Sequence, residues 1–153
     1  IKISNEIDSP VFLPHVTMFV GETDKSESDL IDQFTRISGR MDEFVFSCLG
    51  VECSDFIFKY LFMSLNTPDI SLEYNRVFQG IDMHSDYIFN PHLSLAYSDG
   101  DHKKECDRSS LIQLFLDMEV KIGRYQLIRS GNLSPRIESV STWDVISEVI
   151  LAK

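Results

Sequence analysis

The sequence has few of the residues that mark small cross-linked or low-complexity proteins. Its 153 residues include three cysteines, seven glycines and five prolines. An odd cysteine count without a paired spacing argues against a disulfide framework, and sparse glycine and proline argue against a disordered chain. We therefore expect free thiols at Cys48 and Cys53 and a reducing compartment, the cytoplasm.

Basic residues are also few, with 14 Lys and Arg against 24 Asp and Glu and a formal net charge of −10. Affinity for a long phosphate backbone comes from many Lys and Arg contacts, so this balance excludes long nucleic acid as a partner. A small phosphorylated ligand needs only a few local donors. No apolar run reaches the length of a membrane span, and no signal peptide is visible. We expect a monomer that binds no membrane.

What is present suits one ordinary domain over residues 1–153, since 43% of the residues are hydrophobic and 25% are charged. Hydrophobic periodicity predicts the order β α β β α β α β β. The predicted strands cover residues 11–20, 43–52, 56–65, 87–98, 121–130 and 137–151. The predicted helices cover residues 26–40, 67–81 and 107–118. The second and third strands form a hairpin, so the order predicts an α+β fold with antiparallel sheets.

In two of the predicted helices, particular residues indicate where the helix begins and ends or which face is apolar. Ser26 and Asp29 resemble a capping box at the start of the first helix, and Gly39 suits its end. In the second helix, the apolar face is expected from the spacing of Leu72, Val77 and Ile81.

A five-residue pattern of Pro, His, apolar, hydroxyl, apolar occurs twice. It runs from Pro14 to Met18 as PHVTM and from Pro91 to Leu95 as PHLSL. Both copies lie in predicted strands, where residues two apart share a face. Each strand therefore presents a histidine and a hydroxyl to one surface. A lone histidine in a strand is usually structural, but two of four histidines sharing this pattern point to a common site.

The two copies together suit attack on a phosphodiester. Of His15 and His92, one imidazole can take a proton from water while the other, as imidazolium, protonates the leaving oxygen. The hydroxyls of Thr17 and Ser94 can donate hydrogen bonds to the non-bridging phosphate oxygens. The pattern leaves open which histidine is the base. No metal and no cofactor is needed for this chemistry.

The other two histidines lack the pattern. His84 and His102 both lie in polar segments and are expected to be solvated. A metal site formed by Asp99, Asp101 and His102 is conceivable, but that spacing matches no known set of ligands, so we expect no metal.

At these residues the chain resembles the 2H phosphoesterase superfamily, whose signature is two His-x-Thr/Ser motifs. Residues 12–17 (FLPHVT) and 90–97 (NPHLSLAY), with a hairpin and with Trp143 in the last segment, resemble its cyclic phosphodiesterase branch. The similarity covers residues 11–151. It implies a bilobal, pseudo-symmetric α+β fold with helices on the outer faces of the sheets. Since fourteen residues precede His15, we expect the family's N-terminal strand and helix to be lacking.

The resemblance also implies an activity, the metal-independent hydrolysis of a cyclic phosphate on a small nucleotide to a monoester. Candidate substrates are ADP-ribose 1″,2″-cyclic phosphate and nucleoside 2′,3′-cyclic phosphates. His15 and His92 match the catalytic pair, and Thr17 and Ser94 match the phosphate-binding hydroxyls. Tyr97 matches a tyrosine beside the phosphate. An offset of three residues reverses the face of a strand, so Tyr97 joins Ser94 only if the strand bends or bulges.

Three alternatives remain open at this point. The first is a 2′,5′-oligoadenylate or RNA-end phosphodiesterase acting on a short oligonucleotide. The second is a nucleotide-binding module without turnover. The third is a structural domain, which predicts that the two histidines do not converge.

Overall fold

The computed structural model describes residues 12–81, 84–98, 114–130, 140 and 142–151. This part of the chain has an α+β fold with antiparallel strand pairing. The helices are α1 (Glu27–Ser38) and α2 (Asp69–Gln79), and a 3₁₀ turn covers Ile57–Lys59. The strands are β1 (Phe44–Cys53), β2 (Leu61–Leu65), β3 (His92–Ala96), β4 (Glu119–Ile122), β5 (Arg124–Arg129) and β6 (Asp144–Ile150).

The described residues form two sheets, one in the order β3-β2-β1-β4 and one from β5 and β6. The predicted hairpin is confirmed as β1 and β2, which pair antiparallel. The single strand predicted over residues 121–130 is wrong, since β4 and β5 belong to different sheets. The break falls at Gly123, whose carbonyl accepts a hydrogen bond from the Leu151 N–H beyond β6. The backbone thus passes from one sheet to the other at this glycine.

Helix α1 confirms its predicted start and end within two residues. The Ser26 hydroxyl accepts a hydrogen bond from the Asp29 N–H at 3.2 Å and contacts the Asp29 carboxylate at 2.6 Å. This is the N-cap interaction expected from a hydroxyl ahead of an acidic first turn. Gly39 ends the helix, and its N–H reaches the Thr35 carbonyl.

Helix α2 buries a different face from the predicted one. Val77 is 40% exposed, whereas Ile81 is buried as expected. The buried residues of α2 are Ser71, Tyr74, Asn75 and Phe78. Two of these are polar, so hydrophobic spacing alone selected the wrong face. Asn75 is buried because its side-chain amide donates a hydrogen bond to the Met18 carbonyl at 2.6 Å.

The core lies between the four-stranded sheet and the helices. Its buried cluster includes Phe46 of β1, Met63 of β2, Phe34 of α1 and Phe78 of α2, and the ring of Tyr125 of β5 lies 5.2 Å from that of Phe78. On β1 the alternation is regular at first, with Phe44 and Phe46 buried and Val45 and Ser47 exposed. One face of the sheet therefore packs against the helices, as predicted for an α+β fold.

Four predicted strands are shorter or less regular than expected. Of the strand predicted over 56–65, residues 61–65 form β2 and residues 57–59 form the 3₁₀ turn instead. Of the strand predicted over 137–151, residues 144–150 form β6. Residues 12–20, the described part of the strand predicted over 11–20, form no ladder and make an isolated bridge instead. Of the strand predicted over 87–98, residues 92–96 form β3. Most of the predicted third helix lies outside the described residues, as do Asp99, Asp101 and His102.

The cysteines divide into two states. Cys48 is a buried free thiol, as predicted. Cys53 is disulfide-bonded, so the expectation of a free thiol was wrong there. A disulfide is typical of oxidising compartments, which removes the support that the cysteines gave to a reducing one. Across the described ranges, no helix has both the length and the apolarity to cross a bilayer.

Candidate active site

The segment that carries His15 is held in place by side chains from elsewhere in the chain. Three of its backbone carbonyls, which have no ladder partner, accept hydrogen bonds from distant residues. The pairs are Tyr87 with the Thr17 carbonyl at 3.0 Å, Asn75 with the Met18 carbonyl at 2.6 Å, and Ser85 with the Val20 carbonyl. Burial raises the pKa of Tyr87 to about 12, so its hydroxyl stays a donor at neutral pH.

An antiparallel bridge between Val16 and Leu93 joins the two motifs. Both bridge residues pack against the main core. Because alternate residues of an extended chain point to opposite faces, the neighbours of the bridge point away from that core. Those neighbours are His15, Thr17, His92 and Ser94. The structure thus brings the four motif residues to one face, which the structural-domain alternative did not predict.

Each histidine makes the same local hydrogen bond. His15 Nδ1 lies 2.7 Å from the Leu13 carbonyl, and His92 Nδ1 lies 2.7 Å from the Asn90 carbonyl. A carbonyl only accepts, so Nδ1 must carry the proton in both rings. In the neutral form, Nε2 then has its lone pair available, and in the imidazolium form it carries a transferable proton.

The repeated proline explains why both histidines find that carbonyl. The accepting residue stands directly before the proline of each motif. Proline fixes its own φ and restricts the preceding residue to an extended conformation. The chain is therefore preset with the carbonyl two residues back from the histidine. The Pro-His dipeptide is the sequence signal for this geometry.

The protonation of His92 is biased toward the neutral form. Burial lowers the pKa of His92 most, and the positive charges of Lys59 and His15 lower it further. The hydrogen bond to the Asn90 carbonyl opposes this shift. The His15 imidazole is thus close enough for its positive charge to act on His92.

The two motif hydroxyls differ. Ser94 is 6% exposed, and its hydroxyl donates to the Phe58 carbonyl at 2.9 Å. A serine hydroxyl has one proton, so Ser94 has none left for a phosphate oxygen. The Thr17 hydroxyl is half-buried and makes no hydrogen bond within the described residues. Thr17 alone of this pair is a free donor.

Tyr97 was expected to share the face of Ser94 only if its strand bulges, and β3 does contain a bulge. In the pairing of β3 with β2, Ser94 faces Phe62 and Ala96 faces Leu61, so β3 has one extra residue there. This shift turns Tyr97 toward Ser94, and the two hydroxyls interact. Burial raises the pKa of Tyr97 to about 12, against the effect of Ser94. Tyr97 is 2% exposed, which leaves little of it for direct contact with a phosphate.

An aromatic group surrounds His15. The Trp143 ring centroid lies 5.8 Å from that of His15 and 6.0 Å from that of Phe58. Phe12 stacks on Tyr97 at 4.0 Å. Phe12 and Trp143 are half-buried, so they present aromatic surface beside the imidazole. This surface suits an apolar or planar part of a ligand.

Sequence reasoning did not single out the turn Ile57–Lys59 as part of the site. Phe58 accepts from Ser94 and contacts Tyr97 and Trp143, and Lys59 acts on the charge of His92. The turn precedes β2, far from either motif in sequence. No local pattern marks such a contact, because it arises from the pairing of β2 with β3.

The remaining histidine and metal candidates lie elsewhere. His84 is exposed and bridges Glu22, which fits the prediction of a solvated side chain. Among the described residues, no three His, Cys, Asp or Glu side chains gather as a metal site. The conceivable site at Asp99, Asp101 and His102 lies outside those residues.

Comparison with protein-family models and with the curated proteins finds no match for this chain.

Proposed function

We propose that this chain hydrolyses a cyclic phosphate on a small nucleotide to a phosphomonoester, as a 2H phosphoesterase. The observation that carries the proposal is the Val16–Leu93 bridge, which sets both motif histidines on one face. Each of those histidines has its Nδ1 held by a backbone carbonyl and its Nε2 available. Two such imidazoles supply the base and the acid that phosphodiester hydrolysis needs.

In this proposal His92 is the base and His15 the acid. Burial favours neutral His92, so its Nε2 can take a proton from the attacking water. The water oxygen forms a bond to phosphorus as the bond to one ribose oxygen breaks. His15 Nε2–H gives its proton to that leaving oxygen. One proton enters the pair and one leaves it, so the reaction balances without a metal or a cofactor.

Of the two motif hydroxyls, that of Thr17 is the one that contacts the phosphate in this proposal. Its free hydroxyl can donate to a non-bridging oxygen, where negative charge grows in the transition state. Ser94 instead holds the Phe58 carbonyl and so fixes the turn that borders the site. Tyr97 makes a hydrogen bond with Ser94 and, being buried, does not contact the phosphate in this proposal.

The substrate in this proposal is small, since a net charge of −10 disfavours a long phosphate chain. ADP-ribose 1″,2″-cyclic phosphate and the nucleoside 2′,3′-cyclic phosphates are the candidates. The bilobal pseudo-symmetry, the monomeric state and the cytoplasmic location stay predictions. The disulfide at Cys53 weighs against the last of these.

The test is turnover of these cyclic phosphates in the presence of EDTA, with products separated by chromatography. We expect monoester formation by the wild type, loss of it in His15→Ala and in His92→Ala, and retention in His84→Ala. His84 is the matched control because it is exposed and outside the motifs.

Two outcomes would redirect the proposal. Cleavage of 2′,5′-oligoadenylate or of short RNA ends, without cleavage of mononucleotides, would favour an oligonucleotide phosphodiesterase. Calorimetric binding of a nucleoside monophosphate without turnover of any substrate would favour a binding module.

A further inference from the structure

On the face that carries the two histidines, a hydrogen-bond donor for an anion is available beside His15 but not from the matching hydroxyl beside His92. Thr17 presents a free hydroxyl beside His15, but the Ser94 proton is committed to the Phe58 carbonyl. Releasing that proton would leave the partly buried Phe58 carbonyl without its donor, which costs free energy. The His92 side of the face therefore needs another donor if a phosphate is to be held from both sides.

Lys59 lies at that side on a fixed backbone. Its carbonyl accepts from the Ser54 hydroxyl at 2.6 Å, and the Ile57 carbonyl accepts from the Ser98 N–H at 3.2 Å. Together with the Ser94 bond to Phe58, these contacts hold all three residues of the turn. The position from which the Lys59 side chain extends is thus set by the fold.

The ammonium group itself is not tied to a carboxylate within the described residues. Lys59 Nζ stands 4.4 Å above the Phe62 ring, and that ring is 5.7 Å from the His92 ring. A cation over an aromatic ring is held less strongly than one that donates a charge-assisted hydrogen bond to a phosphate oxygen. The flexible stem of lysine lets Nζ leave the ring for an anion beside His92.

Resting on the function proposed above, we infer that Lys59 binds the phosphate on the His92 side of the site. Its ligand is the phosphate of the cyclic nucleotide and of the monoester product. Lys59 thereby takes the place that the motif pattern gives to the Ser94 hydroxyl. It also supplies a local positive charge in a chain whose net charge is −10.

The experiment is calorimetric titration with adenosine 2′-monophosphate, and with adenosine as the uncharged probe, at fixed salt. The variants are Lys59→Met, which keeps the stem, Lys59→Arg, which keeps the charge, and Lys121→Met as the control. Lys121 lies on β4, at the opposite edge of the sheet from β3, and its loss changes the net charge equally. Thermal unfolding of each variant checks that it folds.

We expect Lys59→Met to weaken monophosphate binding about tenfold, the size of a charge-assisted hydrogen bond, and to leave adenosine binding unchanged. Lys59→Arg should keep most of the affinity, and Lys121→Met all of it. Equal monophosphate affinity in wild type and Lys59→Met would overturn the inference. So would a wild type that binds the monophosphate no better than adenosine.

These outcomes separate the inference from the proposed hydrolysis. A selective loss in Lys59→Met, in a wild type that turns over no cyclic phosphate, supports Lys59 as an anion ligand and contradicts the hydrolysis. If Lys59→Met binds the monophosphate as the wild type does, and the wild type shows turnover that His15→Ala abolishes, the phosphate-binding role of Lys59 is contradicted and the proposed hydrolysis stands.

Discussion

The segment around His15 and the strand around His92 differ in how the chain holds them. His92 begins β3, which pairs with β2 along its length. His15 lies in an extended segment that pairs at the Val16–Leu93 bridge and otherwise depends on side chains such as Asn75 and Tyr87. Both histidines nevertheless make the same 2.7 Å bond from Nδ1 to a carbonyl two residues back.

This difference teaches that the orientation of each imidazole comes from the Pro-His unit, not from the ladder around it. Burial in β3 lowers the pKa of His92. The irregular segment leaves Thr17 with a free hydroxyl. Two motifs with the same residue pattern can therefore have different chemical roles, because different contacts hold each of them in place.

The largest expected effect is on turnover when either imidazole is removed. His15→Ala and His92→Ala should each lower kcat by about 10²–10⁴-fold, the range for loss of a general acid or base. The measurement is steady-state hydrolysis of the preferred cyclic phosphate. His84→Ala should keep the wild-type rate. If only one of the two alanine variants lost activity, the proposal that both histidines act in catalysis would be contradicted.

Thr17 and Ser94 should separate activity from stability. Thr17→Val should lower kcat about tenfold or more, because a donor to the transition state is lost, with the unfolding midpoint kept. Ser94→Ala should lower the free energy of unfolding by about 1 kcal/mol, since the partly buried Phe58 carbonyl loses its donor. Urea unfolding and initial rates give both quantities. The reverse assignment of effects would show that Ser94 is the free donor.

Asn75 should reveal the dependence of the His15 segment on distant side chains. Asn75→Ala leaves the buried Met18 carbonyl without its donor and should cost about 1–3 kcal/mol of unfolding free energy. Proton exchange at amides of residues 15–20 should rise more than at β3, since β3 keeps its ladder. Gln79→Ala is the control, because it removes the side-chain partner of Asn75 but not the Met18 bond. Equal exchange in both segments would contradict the difference in support.

The smallest expected effect is on the pH dependence of stability. His92 has a lowered pKa when folded, so the unfolded chain binds more protons once the pH falls below the ordinary value of 6.5. The free energy of unfolding should therefore decrease as the pH falls through 6.5 and below. In His92→Gln this slope should be shallower, as measured by denaturant unfolding between pH 5 and 8. An unchanged slope would show that burial does not bias His92.

Local signals predicted the parts of the fold that local interactions determine. The Ser26 cap and Gly39 gave α1, and alternation gave the hairpin. The strand expected around His15 failed because β-prone residues do not ensure a partner along their length. The face of α2 was wrong because Asn75 is buried by a hydrogen bond to Met18, 57 positions away.

The candidate site divides in the same way. The two motifs predicted the four residues that meet on one face, and the condition stated for Tyr97, a bulge in its strand, is met. The commitment of the Ser94 proton to Phe58, and the presence of Lys59, could not be predicted. Both depend on which turn the pairing of β2 and β3 brings beside the site.

The most direct test of the paired histidines is the pH dependence of kcat/KM for the preferred cyclic phosphate. A neutral base and a protonated acid together give a bell-shaped profile. We predict that the residual activity of His92→Ala loses the acidic limb and that of His15→Ala loses the alkaline limb. A wild-type profile without two limbs, or variants that keep both, would contradict the account.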